Sequence, residues 1–415
     1  MKTRILLAII GIFFSWTTQV FALEKGFDIN EAKDMLDLCI NLNGNGMKEG
    51  DGEICPDSLE PAHWDLVFDS YIKKDKEIKP CSKKYDKVSG FGPYSNRWKL
   101  WRYKDKKDVY AIVIRGTVGD VASIKEDFLA TSLDGTCINI PYRGTNHDFV
   151  KSSFNNSIPD SNILVPTLEK RGVCFKLAAT PGSEVHAGFC YGLAVIMFDK
   201  NRGILKQLSK LPANSQIYIT GHSQGAALAT LAHAFLYYAE NEGGPSGRRF
   251  LDKNFSFKSY VFAQPKPGNW QFAMDYAENI GNKGLSYTIN NVYDGVPQVP
   301  LSIQHINNAI ESVSSGHPII YFFMKSIDSI KRFFSSSINS YFSNKDIISK
   351  DFDEKNYVHK IKDLGKSGDT LNYMPVGNII AVKPSKNPPL NGDVLREHHL
   401  GTYKKLLENL KGVQL

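Results

Sequence analysis

The stretch Gln216-Ile-Tyr-Ile-Thr-Gly-His-Ser-Gln-Gly-Ala-Ala-Leu-Ala-Thr-Leu-Ala232 decides the fold. Ile217 to Thr220 is an apolar, β-branched run of strand type, and Ala226 to Ala232 is a run of small helix formers. Between them stands Gly221-His222-Ser223-Gln224-Gly225, a Gly-x-Ser-x-Gly pattern. Five residues can join a buried strand to a helix only through a sharp turn. The serine at its apex is forced into a strained backbone conformation, and the flanking glycines remove side chains that would collide. Ser223 Oγ is thereby lifted to the carboxyl edge of a sheet. The backbone N–H of Gln224, at the start of the helix, becomes a donor for a developing oxyanion.

Outward from this turn, strand and helix patterns alternate. Val109 to Ile114 is a near-continuous apolar run, as expected of a strand buried on both faces. Residues 64–69 and 97–103 read as further strands, and so do 216–220, 259–263, 285–293 and 378–382. Helical spacing of apolar residues marks 29–42, 185–211, the stretch from the turn to about Glu240, 270–279 and 400–410. This rhythm predicts an α/β protein: a mainly parallel sheet with helices on both faces. Residues 135–182 are loop-rich and carry no clear pattern. Residues 301–370 break the rhythm. Their first fifty positions hold 12 Ser, but also 10 Ile and several aromatics, too much apolar surface for a solvated spacer. Ile327, Ile330, Phe334, Ile338, Tyr341 and Phe342 fall at helical spacing, so the segment reads as a helical insertion.

With 415 residues, 42% hydrophobic and 12% aromatic, the chain has ample apolar surface to bury, which excludes an intrinsically disordered protein. Its net charge of +7 comes from basic residues interspersed with acidic ones. No basic block interleaved with aromatics is present, so a nucleic-acid partner is not expected. Lys2 and Arg4 precede an apolar run from Ile5 to Phe14, followed by Val20-Phe21-Ala22 with small residues at the cleavage positions. Residues 1–22 therefore read as an export signal too short to span a bilayer, placing the protein in a secreted or periplasmic compartment. Cys39, Cys55, Cys81, Cys137, Cys174 and Cys190 form an even set, compatible with three disulfides in that setting, in any of about fifteen pairings. None forms a Cys-x-x-Cys pair, so a zinc or redox role is not expected, and no metal or other cofactor is called for elsewhere in the chain.

Four motifs then carry a resemblance. Ala111-Ile-Val-Ile-Arg-Gly-Thr117, Val185-His-Ala-Gly-Phe189, the Gly221–Gly225 turn and Phe262-Ala-Gln-Pro-Lys-Pro-Gly-Asn269 occur in the order of the class 3 (fungal-type) lipase family, which the chain resembles. The family has the α/β-hydrolase fold. The likeness covers about 64–300 and 372–410, and Lys266 stands where the family usually has Arg. On this basis 61–300 and 371–415 are expected to form one lipase-like domain, with 23–60 an N-terminal extension and 301–370 an insertion. That insertion either caps an acyl pocket or packs on the core.

A serine hydroxyl needs a histidine to take its proton and a carboxylate to orient the histidine, in the chain order Ser, acid, His for this fold. Asp294, in Asp294-Gly-Val-Pro297 after a predicted strand, is similar to the family's acid; a plain Asp-Gly turn is the rival reading. His398-His-Leu-Gly-Thr-Tyr403 resembles the family's histidine segment, with His398 as base and His399 its rival. Thr117 holds the matching position for a second oxyanion donor beside Gln224. Residues 118–130 correspond to a lid with few bulky apolar groups (Val121, Ile124, Phe128, Leu129). His222 and His186 read as packing or hydrogen-bonding residues. The resemblance implies a serine ester hydrolase of triacylglycerol lipase or phospholipase A type, acting on lipid esters at a membrane or lipid surface. An acyltransferase using the same triad, or a non-catalytic lipid- or host-binding module, are the alternatives.

Overall fold

A computed structural model describes residues 23–47, 52–71, 90–91, 96–116, 132–139, 174–199, 201–242, 251–300, 372–385 and 395–410. Seven strands form the main sheet: β1 (Trp64–Asp69), β2 (Trp98–Tyr103), β3 (Val109–Ile114), β4 (Gln216–His222), β5 (Ser256–Phe262), β6 (Ser286–Asn291) and β7 (Asn378–Val382). They lie in the sheet in chain order. β1, β2 and β3 pair antiparallel, whereas β3 through β7 pair parallel. The mainly parallel sheet read from the alternating patterns is thus present, and its central strands are the apolar runs.

Burial on both faces explains those runs. Along β3, Tyr110, Ile112 and Ile114 enter one core, while Val109, Ala111 and Val113 enter the other. The same alternation continues in β4, where Ile217 and Ile219 face the first core and Tyr218 the second. Each such side chain removed from water contributes roughly 1.5–3 kcal/mol, so one-sided amphipathic strands would not hold this position.

Helix α1 (Ile29–Asn43) covers the second face. It starts at Asp28, whose side chain accepts from the N–H groups of Asn30 and Glu31, and stops at Gly44, which has a positive φ of 75°. The other face carries α2 (Ala187–Phe198), α3 (Ile204–Leu208), α4 (Gln224–Asn241) and α5 (Trp270–Asn279). A final helix, α6 (Leu400–Asn409), returns to the α1 face through Leu400, Tyr403 and Leu407. A small second sheet joins Ser132–Asp134, Glu184–His186, Gly268–Asn269 and Tyr373–Met374. These features are those of the α/β-hydrolase fold.

Residues 23–60, read as an extension, supply α1 to the main core. Glu31 accepts from Lys258 Nζ (2.6 Å), Tyr260 OH (2.7 Å) and Tyr218 OH (2.6 Å), three groups on β4 and β5. Two expectations need correction. The single helical pattern over 185–211 is instead a short strand followed by α2 and α3. Its break is built by Asp199, whose Oδ1 accepts from the N–H groups of Asn201 and Arg202, and by Gly203, which lies against the Asp199 backbone where no Cβ fits. Three disulfides are also excluded. Cys55 and Cys137 are disulfide-bonded, but Cys39 and Cys190 are free and buried. Cys39 belongs to the core on one face of the sheet and Cys190 to the core on the other, so they cannot meet. The signal segment at 1–22, the lid segment at 118–130 and the insertion at 301–370 lie outside the described residues.

Candidate active site

The turn after β4 shows why its motif has two glycines. A Cβ on Gly221 would overlap the Gly225 carbonyl, and one on Gly225 would overlap the Ile114 carbonyl at the end of β3. Backbone therefore packs on backbone at both positions, and any larger residue must displace a strand end. Between them Ser223 adopts φ 59° and ψ −132°, a conformation that non-glycine residues rarely hold. Its N–H donates to the Phe262 carbonyl at the end of β5 (3.0 Å), which ties the strained residue to the sheet.

Ser223 occupies the N-cap position of α4, where a serine ordinarily accepts from the first turn of its helix. Here the side chain makes no capping bond. Its hydroxyl instead lies 2.9 Å from His398 Nε2. Giving up a cap typically costs about 1 kcal/mol, so the site spends stability to aim this oxygen elsewhere.

His398 sits in a single turn of 3-10 helix, Arg396–His398, just before α6. Its Nδ1 lies 2.9 Å from Asp294 Oδ2. An ionised carboxylate accepts only, so the proton resides on Nδ1 and leaves Nε2 as the acceptor facing Ser223. Asp294 is buried, in the loop after β6, and its other oxygen accepts from the Val296 N–H (2.9 Å). His399, the rival histidine, faces away: it is the N-cap residue of α6 and its ring lies against Gly46. The structure thus brings Ser223, His398 and Asp294 into one hydrogen-bonded chain and leaves His399 outside it.

Of the two oxyanion candidates, Gln224 is the buried first residue of α4, so its backbone belongs to the positive end of the helix. Thr117 lies outside the described residues. The residue before it, Gly116, is packed directly on the turn: a Cβ there would come within 2.5 Å of the His222 carbonyl and 3.3 Å of Ser223 Cβ. The end of β3 and the serine turn are therefore in backbone contact.

Three further groups support the triad, and of these the sequence reading assigned a role only to His222, as a packing or hydrogen-bonding residue. Tyr403 OH donates to Asp294 Oδ2 (2.9 Å) and accepts from the Asn291 N–H (3.0 Å). His222 Nε2 donates to the His398 carbonyl (2.7 Å), with the two rings 4.5 Å apart. Burial, first of all, holds the His222 imidazole well below the usual histidine range, and the neighbouring His398 adds to this, so His222 is a neutral donor. Asn291 Nδ2 donates to Glu397 Oε2 (2.8 Å), anchoring the residue before His398. Besides His222, the Tyr403 position had a sequence signal, since it closes the quoted histidine segment.

His186 and Asn269, from two of the motif segments, serve the framework. His186 accepts from the Phe189 N–H (3.3 Å) and stacks on the Phe189 ring. Asn269 Oδ1 accepts from Phe272 N–H and Glu184 N–H (both 3.0 Å), which joins α5 to the small sheet. Among the described residues no cluster of His, Cys, Asp and Glu could hold a metal ion, and no helix is long and apolar enough to cross a membrane.

The family model of class 3 lipases matches residues 141–303. The chain is 34% identical over 132 residues to the secreted mono- and diacylglycerol lipase MDL4 of Malassezia globosa, covering 31% of this chain and 38% of that protein. It is 27% identical over 197 residues to the secreted mono- and diacylglycerol lipase MDL2 of the same organism, covering 47% and 57%. The chain thus spans less than two thirds of the curated relatives it matches. Solved structures with weak similarity include lipase II from Rhizopus niveus, with 19% identity, TM-score 0.37, and coverage of 66% of this chain and 75% of that one. Lip2 lipase from Yarrowia lipolytica has 17% identity and TM-score 0.36, with coverage of 67% and 76%. Over residues 141–303 the chain is thus similar to the class 3 lipase family.

Proposed function

We propose that the protein is a serine carboxylic-ester hydrolase acting on lipid esters of the acylglycerol or phospholipid type. The observation that carries this reading is the chain Ser223 Oγ, His398 Nε2, His398 Nδ1, Asp294 Oδ2, with a 2.9 Å step at each hydrogen bond and the serine at positive φ. In the reaction, Ser223 Oγ attacks the ester carbonyl while His398 Nε2 takes its proton, forming the tetrahedral intermediate. Asp294 keeps the imidazole oriented and stabilises the imidazolium. The intermediate's oxygen receives hydrogen bonds from the backbone N–H of Gln224 and from Thr117; each such donor is worth roughly 3 kcal/mol in the transition state. His398 then protonates the leaving alcohol, and water repeats the sequence on the acyl-enzyme. No cofactor enters any step.

The substrate class is supported by the match of residues 141–303 to the class 3 lipase model and by relatives whose names specify mono- and diacylglycerols. Their description as secreted proteins supports export, as does the signal-like segment at 1–22.

The test is Ser223→Ala assayed with p-nitrophenyl esters, acylglycerols and phospholipids. Turnover is expected to fall by roughly four orders of magnitude or more, with the unfolding transition retained. Wild-type turnover in the variant, or failure of the native protein to react with a fluorophosphonate, would overturn the proposal. Product formation that depends on an added alcohol acceptor would favour acyl transfer instead.

A further inference from the structure

The end of α1 and the loop after it touch both halves of the site. Asn43, the last residue of α1, accepts the Gly116 N–H through Oδ1 (3.0 Å) and donates from Nδ2 to the Cys39 carbonyl (2.8 Å). Gly116 is the residue packed on Ser223 and His222. Two residues later the Asn45 carbonyl accepts the Gly401 N–H (2.9 Å), in the first turn of α6 behind His398. Gly46, at φ 72°, lies so close to His399 that a Cβ would come within 2.6 Å of its Nδ1. A Cβ on Gly401 would likewise come within 2.7 Å of Met47 Cγ.

This loop has its own internal support. Asn45 is buried, and its Oδ1 accepts from the N–H groups of Met47 (3.1 Å) and Ile54 (2.9 Å), while its Nδ2 donates to the Gly52 carbonyl (2.7 Å). Both ends of the side-chain amide are therefore used to tie Asn45 to the backbone of Met47, Gly52 and Ile54. The loop meets the site from the α1 face of the sheet, opposite α4, and so restrains the serine turn and the histidine turn from a common side.

We infer that residues 43–47 are a positioning brace, fixing the separation between the serine turn, through Asn43 and Gly116, and the histidine turn, through Asn45, Gly46 and Gly401. The N-terminal segment is then part of the catalytic apparatus by position, although none of its groups touches the reacting atoms. The inference rests on the serine-hydrolase reading, because it concerns the geometry that reading needs. Displacements of about 1 Å between reacting groups can cost on the order of 100-fold in rate, so a modest loosening should be measurable.

The experiment measures kcat per titrated site, KM and Tm for Asn43→Leu and Gly46→Ala, using p-nitrophenyl butyrate for turnover and a fluorophosphonate to count competent sites. Leu36→Ala, in α1 but away from the brace, is the control for helix stability. The brace predicts kcat per titrated site reduced about 10- to 100-fold in both variants with KM nearly unchanged. Leu36→Ala should lower Tm and keep kcat per titrated site. If Asn43→Leu does not fold, Asn43→Ser, which shortens the acceptor by one atom, is measured in the same way. Wild-type kcat per titrated site in the folded brace variants would overturn the inference, as would an equal loss in Leu36→Ala. A wild-type protein that neither reacts with the fluorophosphonate nor turns over any ester would instead overturn the hydrolase reading, and the brace with it.

Discussion

Tyr403 and His398 share one oxygen of Asp294: the phenol donates to Oδ2 at 2.9 Å, and His398 Nδ1 stands at the same distance from the same atom. The carboxylate is buried, so neither donor competes with bulk water. Burial, followed by the proximity of Asp294, pushes the Tyr403 phenol well above its ordinary range. It therefore keeps its proton throughout the pH range in which the protein works, and the carboxylate is fixed in two directions at once.

Tyr403→Phe is expected to keep the packing and lose this restraint. It also leaves the Asn291 N–H without its acceptor, at a cost of roughly 1–3 kcal/mol. Turnover should fall about tenfold while KM changes little, a far smaller loss than that from removing Ser223. Steady-state kinetics beside thermal unfolding checks this; a loss as deep as that of Ser223→Ala would mean that Tyr403 does more than orient Asp294.

Stability should depend on two buried histidines. Burial lowers His233 from 6.5 to about 3, and His222 is held well below the usual range for the same primary reason. Below pH 6.5 the unfolded chain takes up protons on both side chains and the folded one does not. Stability is therefore complete above 6.5 and falls as pH drops toward the folded values. His233 Nδ1 lies 2.9 Å from Ser259 Oγ, a contact that Asn can imitate. His233→Asn removes one of the two sources. Between pH 7 and pH 5 the wild type should lose about 2 kcal/mol more than this variant, measured by urea unfolding. Parallel losses in the two proteins would show that His233 is protonated in the folded state.

Local constraints were legible in the sequence and distant ones were not. The Gly221–Gly225 turn could be read because its requirements are met within five residues and by the runs on either side. The central strands could be read because burial on both faces leaves no room for polar residues. Choosing between His398 and His399 needed the resemblance, since neighbours one position apart have the same composition around them. The structure separates them by a single 3-10 turn that directs the first inward and seats the second as a helix cap. Asn43 gave no signal, because its partner Gly116 is 73 residues away. The even cysteine count misled for a similar reason: parity says nothing about which face of a sheet each thiol occupies.

The glycines of the turn should differ sharply from a neighbouring glycine. Gly221→Ala and Gly225→Ala each place a methyl group into a backbone carbonyl, which cannot move without separating β3, β4 or α4. Overpacking of this kind costs typically 1–3 kcal/mol and more where backbone must shift, so both variants should lose soluble yield and activity together. Gly295, beside Asp294, has open space where its Cβ would be and no positive φ. Gly295→Ala should therefore express and unfold like the wild type. Equal behaviour of all three variants would show that backbone contact at the turn is not what the two glycines provide.

The two free thiols among the described residues should be silent until the protein unfolds. Cys39 is on the buried face of α1 with its Sγ 3.3 Å from Thr220 Oγ1, and burial pushes its thiol up to about 12. Cys190 is enclosed in the opposite core, and burial raises its thiol further. The thiolate is the reactive form, so both burial and the raised ionisation range suppress alkylation of the folded protein. Without reductant, iodoacetamide should leave Cys39 and Cys190 unmodified under native conditions and modify both in guanidinium chloride. Cys55 and Cys137, already disulfide-bonded, should remain protected in both. Peptide mapping by mass spectrometry reads all four positions in one experiment. Native-state modification of Cys39 would show that α1 opens readily from β4, and would predict an equally loose contact between Asn43 and Gly116.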